Sequence, residues 1–194
     1  MAANPPTVSV LFVCLGNHCR SPSAQAVANA MVQSNGTSQS SGTSQSNATI
    51  PFNGAILFDS AGTSRAHSGE APNPLAIAEG ALRGYSVDHF GRQIHPDDFA
   101  RFDLIVAMDR MNVDDLERMR GGVEQRVGHV ATVEPMQVQL LRRWDPYAMP
   151  GDEDLPDPWG QPSTAYGTMF DVIERTLPFL LDHLAWLQSE QPNS

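Results

Sequence analysis

Cys14 and Arg20 close the two ends of the stretch Cys-Leu-Gly-Asn-His-Cys-Arg, and Ser21-Pro22 follows it directly. A thiol and a guanidinium at this spacing suit one chemistry in particular, the transfer of a phosphoryl group. Gly16 and Asn17 tolerate left-handed backbone angles that most residues avoid. The successive N–H groups of Leu15, Gly16, Asn17, His18 and Cys19 can then turn inward as an anion-binding nest, reinforced by the positive end of a following helix. Arg20 adds a planar fork of donors matched to two phosphate oxygens. That field favours the thiolate form of Cys14, which is the nucleophilic form. Ser21 can donate its hydroxyl to the sulfur and stabilise it as a leaving group.

Charge placement supports this reading. Arg20 is the only Asp, Glu, Lys or Arg before Asp59, so no carboxylate near it in sequence competes with a ligand anion. Phosphoryl transfer to a thiol also needs a proton donor for the leaving oxygen. The segment 144–160 offers two Asp-Pro-aromatic candidates, Asp145 and Asp157. In each, the proline holds the preceding aspartate extended and orients its carboxylate. Spacing alone does not choose between them, and a solvated loop aspartate is the plain expectation for Asp145. Other chemistries fit less well. The loop lacks the G-x-x-x-x-G-K-[ST] pattern of a nucleotide-binding loop. Cys14, His18 and Cys19 form no zinc set, because no second Cys/His pair follows at finger or ribbon spacing. Arg20 and the amides carry the charge work, so no metal or other cofactor is called for.

A strand and a helix must hold this loop. The apolar, β-branched run 7–13 reads as a buried parallel strand, and Ser21-Pro22 as the cap and first position of a helix to about Val32. Further strands are predicted at 54–62, 101–109 and 126–133. Helices are predicted at 73–85 with Gly84 as the stop, at 110–120 closed by Gly121-Gly122, and at 165–188 with Pro178 inside. This alternation predicts a single α/β domain of three layers. A four-stranded parallel sheet carries helices on both faces, flavodoxin-like and doubly wound, with ligands at the carboxyl ends of the strands. Cys14 lies at that edge. The Ser/Thr/Asn-rich run 33–49 contains Gly-Thr-Ser-Gln-Ser twice and a single apolar residue, Ala48. Such a composition buries too little surface to offset ordering, so a disordered insertion is expected at about 33–53. The sequons at Asn35 and Asn47 fall in this run and read as chance.

Bulk properties set limits. The 194 residues carry a net charge of −10, which disfavours general binding to nucleic acid or anionic membranes. No apolar run approaches the ~20 residues of a bilayer span, and the N-terminus lacks a signal-peptide pattern. Two cysteines make no disulfide framework, so reduced thiols and a cytoplasmic location are expected.

The residues 10–27, with 58–64, 71–77, 91–116 and 155–160 following in order, resemble the low-molecular-weight protein tyrosine phosphatases. The resemblance implies a phosphorylated protein substrate, a phosphocysteine on Cys14, Arg20 on the phosphate oxygens, and Asp157 as the acid. It implies a hydrogen-bond network through Asn17, Ser21, Ser60 and His89 that shapes the loop, and a reversible disulfide between Cys14 and Cys19. It also implies a monomer or weak homodimer. His18, Ala66, Gly160 and Gln25 depart from the family pattern. The rim keeps one clear aromatic, Trp159, where Ala66 and Gly160 replace others. A preference for another phosphoamino acid, such as phosphoarginine, is the competing expectation. Arsenate reduction on this fold needs further cysteines that the chain lacks, and a catalytically dead phospho-binding module would not need Cys14, Arg20 and Asp157 together.

Overall fold

The computed structural model describes residues 7–37, 55–127 and 138–190. Four parallel strands, β1 (Val8–Cys14), β2 (Ile56–Gly62), β3 (Leu104–Ala107) and β4 (Val138–Leu140), form one sheet in the order β2-β1-β3-β4. Helices α1 (Arg20–Thr37), α2 (Pro74–Leu82), α3 (Asp98–Arg101), α4 (Arg110–Val127) and α5 (Ser163–Glu190) cover it. The expected three-layer, doubly wound α/β fold is therefore the one observed.

Strand alternation divides the core. Val10, Phe12 and Cys14 of β1 face one layer, with Ala24, Val27 and Ala28 of α1 and Phe170, Ile173 and Leu177 of α5. Leu11 and Val13 face the other, with Ile105, Leu116 of α4 and Phe99 of α3. Both faces of the central strands are dry, which is why β1 reads as a continuous apolar run rather than an alternating one. Each fully buried Leu, Ile or Phe contributes about 1.5–3 kcal/mol. This clamps β1, and with it the position of Cys14.

Several boundaries depart from the sequence expectations. The helix predicted from Pro22, behind a Ser21 cap, to about Val32 begins at Arg20 and continues to Thr37, because a nucleated helix anchored by Val27 and Ala28 extends at little cost. Residues 33–37 of the expected disordered insertion are therefore helical, and 38–53 lie outside the described residues. The helix predicted to stop at Gly121-Gly122 runs through both to Val127. Neither glycine takes a positive φ, so each costs the helix about 1 kcal/mol without terminating it. The strand predicted at 126–133 is not there in its first two residues, Arg126 and Val127, which end α4, and its remainder lies outside the described residues. The fourth strand is Val138–Leu140, paired with β3 through Ile105↔Val138 and Ala107↔Leu140. It is a three-residue edge strand with a polar centre, too short for a periodicity signal. Finally, Arg101 closes α3 rather than opening β3.

The helix expected over 73–85 ends at Leu82 and the one expected over 165–188 spans Ser163–Glu190, while their other features hold. Pro74 opens α2 behind Asn73, whose side chain accepts the Leu75 N–H, and Gly84 follows the helix at φ +83°. α5 carries Pro178 within it.

Candidate functional site

The loop from Leu15 to Cys19 joins the end of β1 to the start of α1. Its carbonyls are drawn outward. The Cys14 carbonyl accepts from Thr63 N–H at 2.9 Å, Leu15 from Ser64 at 2.8 Å and His18 from Asn73 at 2.7 Å. Inside α1, the Ser23 hydroxyl holds the Cys19 carbonyl at 2.8 Å. These bonds tie the loop to the segments around it. Asn17 sits at φ +53°, the left-handed turn expected there from its residue type, and its N–H donates to Cys14 Sγ at 3.2 Å. Gly62 at the end of β2 is packed flush against the loop. A Cβ there would lie 2.7 Å from the Leu15 oxygen and 2.9 Å from Asn17 N.

Ser21 is not a helix cap. Its hydroxyl lies 3.0 Å from Cys14 Sγ and accepts from Asn17 Nδ2 at 3.0 Å. The same Asn17 amide donates to Ser60 Oγ at 3.0 Å, and Ser60 in turn donates to Gln25 Oε1 at 2.7 Å. Asn17 Oδ1 accepts from the Arg92 amide at 2.9 Å and lies 2.6 Å from His89 Nε2. Since that oxygen can only accept, His89 donates through Nε2. Burial lowers the His89 pKa from its ordinary value, the Asp59 carboxylate raising it and Arg92 lowering it. Asn17, Ser21, Ser60 and His89 thus converge on the loop from three segments, and Gln25 completes the chain.

Arg20 is buried, with one guanidinium nitrogen on Asp109 at 2.5 Å and on the Leu155 carbonyl at 3.0 Å, and the other on Asp157 at 2.7 Å. Burial works against its charge, but the Cys14 sulfur, Asp157 and Asp109 more than offset that and raise its pKa. Arg20 Nε has no partner among the described residues. Asp109 is a site residue that the sequence reading misses. Its signal is available, since it stands two residues past β3 and so at the same carboxyl edge as Cys14.

The two Asp-Pro-aromatic candidates separate. Asp157 opens onto a pocket of about 260 Å³ that is also lined by Cys14, His18, Ala66 and Trp159. Asp145 is not the solvated aspartate expected. Its side chain is fully buried, accepting from Arg142 Nε at 2.9 Å and from Arg175 at 2.8 and 2.9 Å. Leu15 is half exposed on the pocket rim and Gly16 lies beneath it, against His67. Cys19 is buried with Sγ 3.8 Å from Tyr166 Oη, and burial pushes its thiol up to about 12. The His18 ring lies on the His67 ring, centroids 3.9 Å apart and nearly parallel. Burial and the neighbouring His67 lower the His18 pKa.

A sulfur at the floor of a pocket that an aspartate lines, held by a loop amide and a hydroxyl, with a buried arginine bonded to that aspartate, on a doubly wound sheet, fits a cysteine-dependent phosphatase. Comparison with known proteins gives the same class. The family model of the low molecular weight phosphotyrosine protein phosphatases matches residues 9–57 and 47–191. A low molecular weight protein-tyrosine-phosphatase of Streptomyces coelicolor is 34% identical over 90% of this chain and 92% of its own. Among solved structures, a protein tyrosine phosphatase from Entamoeba histolytica aligns with a TM-score of 0.72 at 26% identity, over 93% of this chain and 99% of the other. A drosophila arginine phosphatase aligns with a TM-score of 0.71 at 27% identity, over 90% and 96% of the two chains. The chain belongs to the low molecular weight phosphotyrosine protein phosphatase family, hydrolases that use an active-site cysteine.

Proposed function

We propose that the chain hydrolyses phosphotyrosine-type monoesters on proteins through a phosphocysteine at Cys14. The observation that carries this is the double hold on Cys14 Sγ, by the Asn17 N–H and the Ser21 hydroxyl, at the base of the pocket onto which Asp157 opens. The dianion of the substrate replaces Asp157 as the partner of Arg20. The amides of Leu15 to Cys19 and the guanidinium then hold the equatorial oxygens, where charge collects during transfer. The sulfur forms a bond to phosphorus while the bond to the leaving oxygen breaks, and Asp157 gives that oxygen a proton. In the second half Asp157 takes a proton from water as the water oxygen bonds to phosphorus. Phosphate leaves, and Ser21 stabilises the departing thiolate. Asp109 keeps the guanidinium plane aimed while its other partner is exchanged.

Cys14→Ser is expected to abolish turnover and still bind vanadate. Arg20→Lys is expected to fail nearly as badly, because a point charge does not replace the fork. Near-normal rates on an aryl phosphate in either variant sink the mechanism.

A second reading rests on Ala66, an exposed, non-aromatic rim residue, and on the likeness to the arginine phosphatase. The two are decided by kcat/KM on phosphotyrosine and phosphoarginine peptides side by side. The Cys14–Cys19 pair is assigned a protective role under peroxide. Peroxide oxidises the Cys14 thiolate to a sulfenic acid, and the Cys19 thiol displaces its hydroxyl as water to leave a disulfide. A missing linked peptide in mass spectra after peroxide treatment rejects this. The same reading takes the protein to act in the cytoplasm as a monomer or weak homodimer. Among the described residues no helix is long and apolar enough to cross a membrane.

A further inference from the structure

The mechanism above uses the His18 backbone but not the side chains of His18, His67 and Glu70, which lie together beside it. Their donor atoms are all within 4.8 Å of one another. His67 Nδ1 is 2.7 Å from Glu70 Oε2, and the Glu70 amide donates to the His67 carbonyl at 3.1 Å, so this pair is held in one turn. His18 comes from the phosphate loop, more than forty residues away in sequence, and its Nδ1 is buried with no hydrogen-bond partner among the described residues. A buried imidazole nitrogen without a partner costs free energy unless something supplies one. Two imidazole nitrogens and one carboxylate oxygen form the donor set of a three-protein-ligand zinc site with an open fourth position.

The geometry points to a site for a divalent transition cation of the zinc class at the mouth of the phosphate pocket, held by His18, His67 and Glu70. As they stand, the two rings are stacked and their lone pairs do not converge. Bonds of ~2.0 Å in a tetrahedron need donor atoms about 3.3 Å apart, so the outer groups must close by about an ångström. They have the freedom to do so, since the His67 side chain is 27% exposed and Glu70 58%, while His18 is fixed by the loop. His18 and His67 both line the pocket that Cys14 floors, so a cation there stands over the entry path of the substrate. The cation closes the pocket and contributes nothing to the chemistry. This consequence rests on the phosphatase reading, but the binding itself does not.

The test separates the two. Zn²⁺ and Co²⁺ are titrated into the Cys14→Ser protein, which has no turnover and no reactive thiolate. One zinc per chain is expected, with a tetrahedral cobalt spectrum lacking sulfur-to-metal bands. Binding should be lost in the added His67→Ala variant and weakened by at least about tenfold in Glu70→Gln, the smaller effect that even outer-sphere losses produce. Mg²⁺, which prefers an all-oxygen shell, should not compete. Absent binding, binding untouched by His67→Ala, or a cobalt–sulfur band overturns the site. In the wild-type enzyme, zinc inhibition should shift to at least about tenfold higher concentration in His67→Ala. An unshifted inhibition places the zinc effect on Cys14 and overturns the closing role.

Discussion

Residues 145–147 and 157–159 are the same local device used twice. In Asp145-Pro146-Tyr147 the Tyr147 N–H donates to Asp145 Oδ1 at 3.0 Å. In Asp157-Pro158-Trp159 the Trp159 N–H donates to Asp157 Oδ1 at 3.1 Å. Proline fixes the approach, the aspartate closes the turn on the amide two residues ahead, and the aromatic points outward, 75% exposed in one case and 60% in the other. Each carboxylate also meets arginine. Yet Asp145 lies between Arg142 and Arg175 with its side chain sealed from solvent, while Asp157 shares Arg20 with Asp109 and is 38% exposed at the pocket. Local sequence builds the turn, and the arginine that arrives from elsewhere decides its use. Arg175 comes from α5 and is held permanently. Arg20 opens α1 directly behind the loop, and on the proposed mechanism its bond to Asp157 is exchanged for the substrate.

Between the two segments, the largest effect is expected at Asp157. Asp157→Asn removes the proposed proton donor, and kcat should fall by roughly a hundred- to ten-thousandfold for phosphates with poor leaving groups. For an activated aryl phosphate the fall should be much smaller, because that leaving group needs no proton. Equal losses on both substrates would leave Asp157 a role in binding alone. The thermal midpoint should barely move.

Asp145→Asn should do the reverse. It leaves Arg142 and Arg175 facing a neutral amide in a buried site, and breaking such a pair costs about 3 kcal/mol of stability. Activity per folded molecule should stay within a factor of a few. A urea titration and an active-site count on the same sample check both halves. A stable Asp145→Asn protein with crippled kcat would reverse the two assignments.

The comparison also has a pH signature. Burial works against the Asp145 charge, but bonds from Arg175, the Tyr147 amide and Arg142 hold its carboxyl at about 2, below the ordinary 3.8. A depressed folded-state value means that the stabilisation is complete above the ordinary value and is lost as pH falls from about 4 toward 2. The amount is about 2 kcal/mol. Acid unfolding of the wild type should therefore show this loss in that window, and Asp145→Asn should not. The same slope in both proteins would remove Asp145 from the acid transition.

How far these differences are legible in the sequence follows from where the partners come from. The phosphate loop is one continuous segment, so Cys14, Asn17, Arg20 and Ser21 declare themselves by type and spacing. Ser60 and His89 enter only through the family likeness, since their bonds to Asn17 cross forty-three and seventy-two residues. Asp145 reads as solvated because one of the arginines that buries it lies thirty residues on, in α5. Asp109 escapes notice although its place after β3 marks it. The sheet is legible in β1 and β3, where both faces are buried and the apolar run is unbroken. It is not legible at β4, where an edge strand of three residues carries too little pattern to compete with the apolar residues of 126–133. The glycines mislead at α4 because a stop requires a left-handed residue, as at Gly84, and Gly121-Gly122 keep helical angles.

The smallest effects concern the two aromatics. Tyr147 and Trp159 occupy equivalent turn positions, and each is mostly in solvent. Tyr147 lies under Arg175, with the guanidinium 5.5 Å from its ring centroid. That contact helps hold the arginine on Asp145, so Tyr147→Ala should cost about 0.5–1 kcal/mol of stability and leave kcat and KM alone. Trp159 has no such duty and instead borders the pocket beside Asp157. With Ala66 also on the lining and bringing no ring, Trp159 is the large aromatic surface offered to a substrate ring in that pocket. Trp159→Ala should raise KM for aryl phosphates roughly two- to tenfold, the range expected for one aromatic pair, with kcat nearly unchanged. Phosphoserine peptides, which bring no ring, should show no such rise. If Trp159→Ala lowers kcat and leaves KM intact, the ring is setting the Asp157 turn rather than receiving the substrate. The two Asp-Pro-aromatic segments would then differ only in their arginines and not in their aromatics.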